Sequence, residues 1–178
     1  MSFNGLELKR NSQSYSIWLM PDGIDKDQLK TTILSLASDF DAPFFNPHVT
    51  LVGGFLGEEK QLLKKMKIIS KKIPSFIVSF DGIDYLNDFF RSLFLKVKLN
   101  NQLIRARDIA SNELELIKEN YMPHLSLIYG NYNSTQKKHM ISRVSSIPIS
   151  FSVNKIFLAY NDEINLMWKV IRGFSLNK

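Results

Sequence analysis

Hydrophobic and polar positions alternate along the chain in two different rhythms, which predict helices and strands in a mixed order. Apolar residues spaced three or four positions apart are typical of helices, and short apolar or alternating runs that end at Gly or Pro are typical of strands. The predicted helices are 25–38, 57–72, 100–119 and 134–145. The predicted strands are 15–20, 48–52, 75–86, 91–99, 124–129, 148–160 and 164–174. This mixture predicts an α+β fold.

The order of elements repeats: strand, helix, a short strand that begins Pro-His, helix, strand. The intervals from Tyr15 to His48 and from Ser92 to His124 are 33 and 32 residues long. Both short strands end at Gly after an apolar run. Weak duplication of this kind predicts two similar halves related by an approximate two-fold axis, since no longer repeat array is present.

We therefore expect a bilobal duplicated fold, with two antiparallel-sheet lobes, outer helices and a central cleft. The whole chain, 1–178, is predicted to form a single domain. Its lobes would cover approximately 1–88 and 89–178, with exchange of a terminal strand between them.

Candidate chemistry concentrates in two tetrapeptides, His48-Val49-Thr50-Leu51 and His124-Leu125-Ser126-Leu127. In a strand, the side chains at positions i and i+2 point to the same face. Each tetrapeptide therefore presents one imidazole and one hydroxyl on a polar face that is backed by apolar residues. If the two halves pair symmetrically, the two polar faces meet.

Two imidazoles and two hydroxyls suit attack at phosphorus. One neutral imidazole can take a proton from water while the other, protonated, gives a proton to the leaving oxygen. The hydroxyls of Thr50 and Ser126 can bind the non-bridging phosphate oxygens. A single histidine on a strand is more often structural, but two matching strands favour catalysis. His139 lacks the Pro-His context and is predicted to lie on the surface.

Composition narrows the chemistry further. The chain has no cysteine, which excludes disulfides, thiolate nucleophiles and cysteine metal sites. The chain has 23 Lys and Arg against 17 Asp and Glu, and this positive excess favours anionic partners. The lysines clustered on the predicted helix at 57–72 are also explained simply as a solvent-exposed helix surface. Residues 1–13 are polar and lack the apolar core that a signal peptide has. No apolar run approaches the roughly 18 residues of a membrane span. We expect a cytoplasmic monomer without membrane association.

The paired motifs resemble the two His-x-Thr/Ser-x motifs of the 2H phosphoesterase superfamily. Within it, the likeness is to cyclic phosphodiesterases that act on nucleoside 2′,3′-cyclic phosphates and on ADP-ribose 1″,2″-cyclic phosphate. The segments that carry it are Tyr15-Ser16-Ile17-Trp18, Pro47-His48-Val49-Thr50-Leu51 and the run from Tyr121 to Gly130. The resemblance implies hydrolysis without metal or cofactor, with nucleotide or ADP-ribose cyclic phosphates, and RNA ends, as partners.

The resemblance also implies roles for individual residues. The four motif residues, His48, Thr50, His124 and Ser126, match the catalytic set. Tyr129 matches the aromatic residue that lines the phosphate pocket, and Trp18 matches a residue of the pocket wall. Phe90, beside Phe89, would stack on the base or sugar, while core packing is the alternative role for Trp18 and both phenylalanines.

Three alternatives stay open from the sequence. The first is a 2′-5′ oligonucleotide or RNA-end phosphodiesterase, or an RNA ligase-like enzyme, of the same superfamily. The second is a non-catalytic nucleotide- or RNA-binding module, which would not need both proton-transfer groups. The third, a metalloenzyme, is disfavoured because each histidine is followed at i+2 by a hydroxyl instead of another metal ligand.

Overall fold

A computed structural model describes residues 13–117, 120–144 and 146–177. Helices and strands follow one another in the mixed order expected of an α+β fold. The helices are α1 (Gly23–Asp39), α2 (Glu59–Lys72), α3 (Asn101–Leu114) and α4 (Ser134–Arg143), with a short 3₁₀ helix at Phe89–Arg91. The strands are β1 (Gln13–Leu19), β2 (Val49–Phe55), β3 (Phe76–Asp84), β4 (Leu93–Val97), β5 (His124–Ile128), β6 (Ser150–Val153), β7 (Lys155–Asp162) and β8 (Met167–Ser175).

All eight strands form one antiparallel sheet in the order β6-β3-β4-β5-β2-β1-β7-β8. The two motif strands, β2 and β5, lie side by side at its centre. On one side β2 is followed by β1, β7 and β8, and on the other β5 is followed by β4, β3 and β6. The α+β duplicated architecture is confirmed. Each half of the sheet contains strands from both halves of the chain, since β7 and β8 lie beside β1, and β3 lies beside β4. The lobe limits near residue 88 stay a prediction.

The helices also cross between the halves. Helix α1 follows β1 in the chain but packs on β5, and α3 follows β4 but packs on β2. Their buried apolar residues cover one face of both motif strands; these are Leu29, Ile33 and Leu36 of α1 and Leu103, Ala106 and Ala110 of α3. The opposite face of the motif strands remains for polar groups. No helix within the described ranges is long and apolar enough to cross a lipid bilayer.

Several predicted elements have other bounds in the structure than the sequence pattern indicates. Helix α3 stops at Leu114, because Glu115 adopts a left-handed conformation and its N–H bonds to the carbonyls of Ser111 and Asn112. Of the predicted extension to Glu119, Lys118 and Glu119 lie outside the described residues.

The single strand predicted at 148–160 is two strands separated at Asn154. Strand β6 pairs with β3 at one edge of the sheet, whereas β7 pairs with β1 and β8 at the other side. The alternation of apolar and polar residues continues through Asn154, so the sequence pattern does not indicate that two strands meet there. The predicted helix at 134–145 ends at Arg143, and Ser145 lies outside the described residues.

Candidate active site

The motif strands β2 and β5 are joined at Val49 and Leu125, a pair of residues with no exposed surface. Each of them directly follows a motif histidine. Their side chains point into the core beneath the helices, which sends the neighbouring residues of both strands to the opposite face of the sheet. The apolar half of each tetrapeptide thus fixes the orientation of the polar half.

The register around this pair brings the four motif side chains together. In antiparallel pairing, His48 falls across from Ser126 and Thr50 falls across from His124. All four line one cavity of about 440 Å³. The two polar faces therefore meet as neighbouring strands of one sheet.

The other predicted site residues line the same cavity. Trp18 is contributed by β1, Phe90 by the 3₁₀ helix, and Tyr129 directly follows β5. The structure thus places all seven candidate residues around one cavity. His139 lies outside it, exposed on α4 with its ring against Phe40, as predicted.

Both histidines are held in the same way. The Nδ1 atom of His48 lies 2.7 Å from the carbonyl oxygen of Asn46, and Nδ1 of His124 lies 2.9 Å from that of Met122. A carbonyl oxygen only accepts, so Nδ1 carries the proton in each neutral ring and Nε2 is left unprotonated. Each ring is therefore fixed with its basic nitrogen available for proton exchange.

Burial strongly affects the proton affinity of His48. Its desolvation lowers the pKa from 6.5 to about 4, although the hydrogen bond to Asn46 acts in the opposite direction, and His124 lowers it further. The ring is thus neutral near pH 7 when the site is empty.

His124 shows a shift in the same direction. Desolvation lowers the pKa of His124, and the positive charge of Arg91 lowers it too, while the hydrogen bond to Met122 and the charge of Asp88 raise it. The charges of Arg91 and Asp88 therefore act on the second motif histidine.

The depressed pKa of His48 predicts loss of stability in acid. Below pH 6.5 the unfolded chain binds a proton at this position, whereas the folded chain does not until the pH approaches about 4. Lowering the pH through this window is expected to reduce the free energy of unfolding by up to about 3 kcal/mol from His48 alone. Urea denaturation at pH 7 and pH 4.5 measures this loss.

His48→Gln is the test variant and His139→Gln the control for that experiment. The loss between the two pH values should shrink in His48→Gln and persist in His139→Gln. Equal losses in wild type and His48→Gln would show that the acid sensitivity has another origin.

The motif hydroxyl of Ser126 is held at the wall of the cavity. Its Oγ donates to the carbonyl oxygen of Phe90 at 2.9 Å, and the Tyr129 hydroxyl lies within hydrogen-bonding reach of it. Burial raises the pKa of Tyr129, so this phenol keeps its proton. The hydroxyls of Ser126 and Tyr129 thus form a small polar group beside the catalytic candidates.

Tyr121 connects the two motif segments. It precedes the second motif, and its hydroxyl donates to the carbonyl oxygen of Thr50 in the first, at 3.2 Å. The guanidinium of Arg107 on α3 lies 4.4 Å from the centre of the Tyr121 ring, a cation–π contact. One side chain therefore links the first motif strand to α3.

An aromatic ring packs against each histidine. Trp18 stacks on His48 with ring centres 3.6 Å apart and planes 11° from parallel, and Phe94 meets His124 edge-on at 5.2 Å. The two aromatic residues are equivalent in the duplicated layout, since Trp18 pairs with Thr50 and Phe94 pairs with Ser126 in the sheet. Each also precedes its histidine by the same number of residues.

Phe94 was not among the predicted site residues. Its equivalence to Trp18 is visible in the spacing, but the alternation in residues 91–99 indicates only a strand. Trp18 itself is only 1% exposed, so it is a packed residue and a wall of the cavity at once.

Tyr129 lies within a cluster of rings. It stacks on Phe45 at 3.8 Å, and Phe90 and Trp168 contact it at 5.3 and 5.2 Å. Trp168 also lines the cavity and was not predicted, because β8 is distant in sequence from both motifs. The flat apolar surfaces of this cluster can stack on a nucleobase or sugar.

Three charged residues at the cavity were also missed: Asp88, Arg91 and Glu163. Asp88 caps the 3₁₀ helix by accepting from the N–H groups of Phe90 and Arg91, and its carboxylate pairs with the Arg91 guanidinium at 2.7 Å. Both side chains line the cavity. An Asp and an Arg three positions apart are common on protein surfaces, so Asp88 and Arg91 do not stand out in the sequence.

Comparison with known proteins identifies the family. Residues 13–155 match the model of a family described as cyclic phosphodiesterase-like protein. The chain belongs to this family. As a cyclic phosphodiesterase-like protein it is a member of the 2H phosphoesterase superfamily, and its activity is the hydrolysis of cyclic phosphodiesters.

Relatives agree with this assignment. A cyclic phosphodiesterase of Arabidopsis thaliana is 25% identical to this cyclic phosphodiesterase-like protein over 172 residues, which cover 92% of this chain and 95% of the relative. A 2′,3′-cyclic-nucleotide 3′-phosphodiesterase of Kluyveromyces lactis is 29% identical over 136 residues, 65% of this chain and 64% of that protein. The crystal structure of E. coli LigT complexed with phosphate shares the fold, with a TM-score of 0.59 and 14% identity over 93% of this chain and 98% of LigT.

Proposed function

We propose that this protein hydrolyses the cyclic phosphate of a ribose, without a metal ion, by acid–base catalysis with His48 and His124. The observation that carries the proposal is the matched presentation of the two imidazoles. Both donate Nδ1–H to a backbone carbonyl two residues earlier, and both line the cavity that also contains Thr50 and Ser126. Their basic Nε2 atoms are the groups that proton transfer requires.

The reaction needs one neutral and one protonated imidazole. The neutral ring takes a proton from water as its oxygen bonds to phosphorus, and the protonated ring gives a proton to the ribose oxygen as its bond to phosphorus breaks. Burial lowers the pKa of both imidazoles in the empty site. A bound phosphate anion raises the pKa of a nearby imidazole, so substrate binding supplies the protonated partner. Because the two histidines are held alike, either one can act as the base.

The remaining polar groups suit the phosphate oxygens. Thr50 and Ser126 alternate with the histidines across the two strands, so that each imidazole has a hydroxyl opposite it. The Ser126 hydroxyl donates to the carbonyl of Phe90 in the empty site and would exchange that bond for one to a phosphate oxygen. Hydrogen bonds from such groups stabilise the negative charge that accumulates on the phosphate oxygens in the transition state, and they are stronger where water is excluded. Arg91 lies at the same wall, where its guanidinium is paired with the carboxylate of Asp88.

The substrates that we propose are nucleoside 2′,3′-cyclic phosphates and ADP-ribose 1″,2″-cyclic phosphate. The name of the Kluyveromyces lactis relative specifies the first class, and the superfamily resemblance of the two motifs supports both. The expected products are the nucleoside 2′-phosphate and the ADP-ribose 1″-phosphate. The aromatic cluster around Tyr129 would hold the base or sugar by stacking.

Turnover of 2′,3′-cyclic nucleotides in EDTA, followed by ³¹P NMR, tests the proposal. We expect wild type to give the 2′-phosphate at an undiminished rate in EDTA, because the proposed proton transfers need no metal. Activity abolished by EDTA and restored by a divalent cation would indicate a metalloenzyme instead. Absence of turnover on these substrates and on 2′-5′ oligonucleotides would indicate a binding module.

A further inference from the structure

One lysine of helix α4 lies in the interior of the protein. Lys137 shares the buried face of α4 with Met140 and is 1% exposed, whereas its neighbour Lys138 is exposed. Lysine is almost never fully buried unless its side chain has polar partners. None of the ion pairs between described residues includes Lys137. The burial of this side chain therefore needs another explanation.

The partners of Lys137 are neutral groups at the start of one loop. Its Nζ donates to the carbonyl oxygen of Leu86 at 2.7 Å and to Oδ1 of Asn87 at 3.0 Å. It also lies 5.6 Å from the centre of the Tyr85 ring, within cation–π distance. These three residues begin the connection between β3 and β4, residues 85–92, which we call the β3–β4 loop. One side chain thus fastens the start of this loop to α4.

The same loop forms one wall of the active-site cavity. Asp88, Phe90 and Arg91 all line that cavity. The loop is closed on itself, because the N–H of Leu86 donates to the carbonyl oxygen of Arg91 at 3.0 Å and Asp88 caps the 3₁₀ helix between them. A shift at Leu86 would therefore be passed on to the residues that line the cavity.

The β3–β4 loop has little burial of its own and has room to move. From Tyr85 to Arg91 every residue is described, and no side chain among them is fully buried. A cavity of about 300 Å³ lies between the loop and α4. It is lined by Asn87, Asp88, Gly130, Asn131, Tyr132 and Lys137. Without a fastening at its start, the loop could move into this space and away from the active site.

Hydrogen bonds also hold the other end of the loop, and one of them is lost in the proposed reaction. The carbonyl oxygen of Phe89 accepts from the N–H of Gly130, and that of Phe90 accepts from Oγ of Ser126, both at 2.9 Å. When the Ser126 hydroxyl turns to a phosphate oxygen, it releases Phe90. The loop then loses an attachment just when its wall must contact the substrate, whereas the bonds from Lys137 are unaffected.

We propose that Lys137 is a positioning residue, which keeps the β3–β4 loop against the active-site cavity when a bound phosphate takes the Ser126 hydroxyl from Phe90. The inference rests on the proposed function, because it takes Ser126 to bind the phosphate. The wall that carries Phe90 is then in place before the substrate arrives. Ordering of the loop therefore adds little to the cost of binding.

Lys137→Met tests this role, because it keeps the length of the side chain and removes the N–H donors. We expect KM for a nucleoside 2′,3′-cyclic phosphate to rise about tenfold, while kcat stays within about threefold of wild type. The rate should persist because both catalytic imidazoles are held by carbonyls outside the loop, those of Asn46 and Met122. Calorimetry with adenosine 2′-monophosphate should show the same loss of affinity independently of turnover.

Two further lysine variants distinguish positioning from charge and from stability. Lys138→Met makes the same change in charge on the exposed side of α4 and should leave KM unchanged. Lys137→Arg keeps N–H donors, and the adjoining cavity has room for the longer side chain, so it should restore most of the affinity. A merely structural lysine would lower the midpoint of urea denaturation in Lys137→Met and leave KM as it is.

Asn87→Ala tests the same contact from the loop. Asn87 is exposed and is not among the residues that line the active-site cavity, so its removal acts on the fastening alone. We expect KM to rise about threefold, as loss of one hydrogen bond would give. The double variant with Lys137→Met should have the KM of Lys137→Met, since both changes break one contact. If Lys137→Met does not fold, Asn87→Ala decides the question, and an unchanged KM in it contradicts the proposal.

The inference and the proposed function fail in different ways. An unchanged KM in folded Lys137→Met would overturn the inference, as would an equal rise in Lys138→Met or additive effects in the double variant. Turnover by wild type would in that case leave the proposed function standing. If wild type binds adenosine 2′-monophosphate but hydrolyses no cyclic phosphate, weaker binding in Lys137→Met would support the role of Lys137 and overturn the proposed function.

Discussion

Replacing either His48 or His124 with alanine is expected to lower kcat on a nucleoside 2′,3′-cyclic phosphate by about 10²–10⁴-fold, the usual contribution of a general acid or base. The two rings are presented alike and line one cavity, so each would supply one of the two proton transfers. Steady-state kinetics on both variants measures the loss. KM should change much less than kcat.

His139→Ala is the matched control, because this exposed histidine lies on α4 outside the cavity. Circular dichroism would show that the site variants remain folded. The kcat of the double variant should be little lower than that of the more impaired single variant, because the two histidines act as a unit. Near-normal turnover in either single variant would rule out a mechanism that uses both histidines.

Trp18→Ala is expected to reduce the free energy of unfolding by about 3–5 kcal/mol, the range for truncating a buried aromatic residue. Trp18 is 1% exposed, and its ring stacks on His48 while its strand pairs with β2 and β7. Removing the ring leaves a cavity and admits water to the imidazole. Chemical denaturation measures the first effect, and NMR titration of His48 should show its pKa moving from about 4 back towards 6.5.

Trp168→Ala provides the comparison for Trp18→Ala. This second tryptophan lines the same cavity but is only partly buried, on β8. Its loss should cost less stability and leave the pKa of His48 near its wild-type value. An unchanged His48 pKa in Trp18→Ala would show that the stacked ring is not what keeps water from the imidazole.

The sequence determined the parts of the site that depend on local pattern. Side chains two positions apart in a strand point to the same face of the sheet. This rule alone places His48 and Thr50 on one face, and likewise His124 and Ser126. The repeated order of elements then indicates that the two tetrapeptides occupy equivalent positions. The motifs and their neighbouring residues resemble those of the 2H phosphoesterases, and the family match confirms this resemblance. Trp18, Phe90 and Tyr129 also fall at the predicted cavity.

The tertiary structure decided what depends on pairing between distant segments. The Val49–Leu125 pair joins the motif strands as direct neighbours, and the burial of His48 in the folded chain lowers its pKa. Arg91 and Trp168 join the cavity through the 3₁₀ helix and the sheet order, and Phe94 contacts the ring of His124. The break at Asn154 sends β6 and β7 to opposite sides of the sheet. Local hydrophobic pattern sets which face a residue presents, but strand order and register arise from contacts between residues far apart in the chain, so no local pattern contains them.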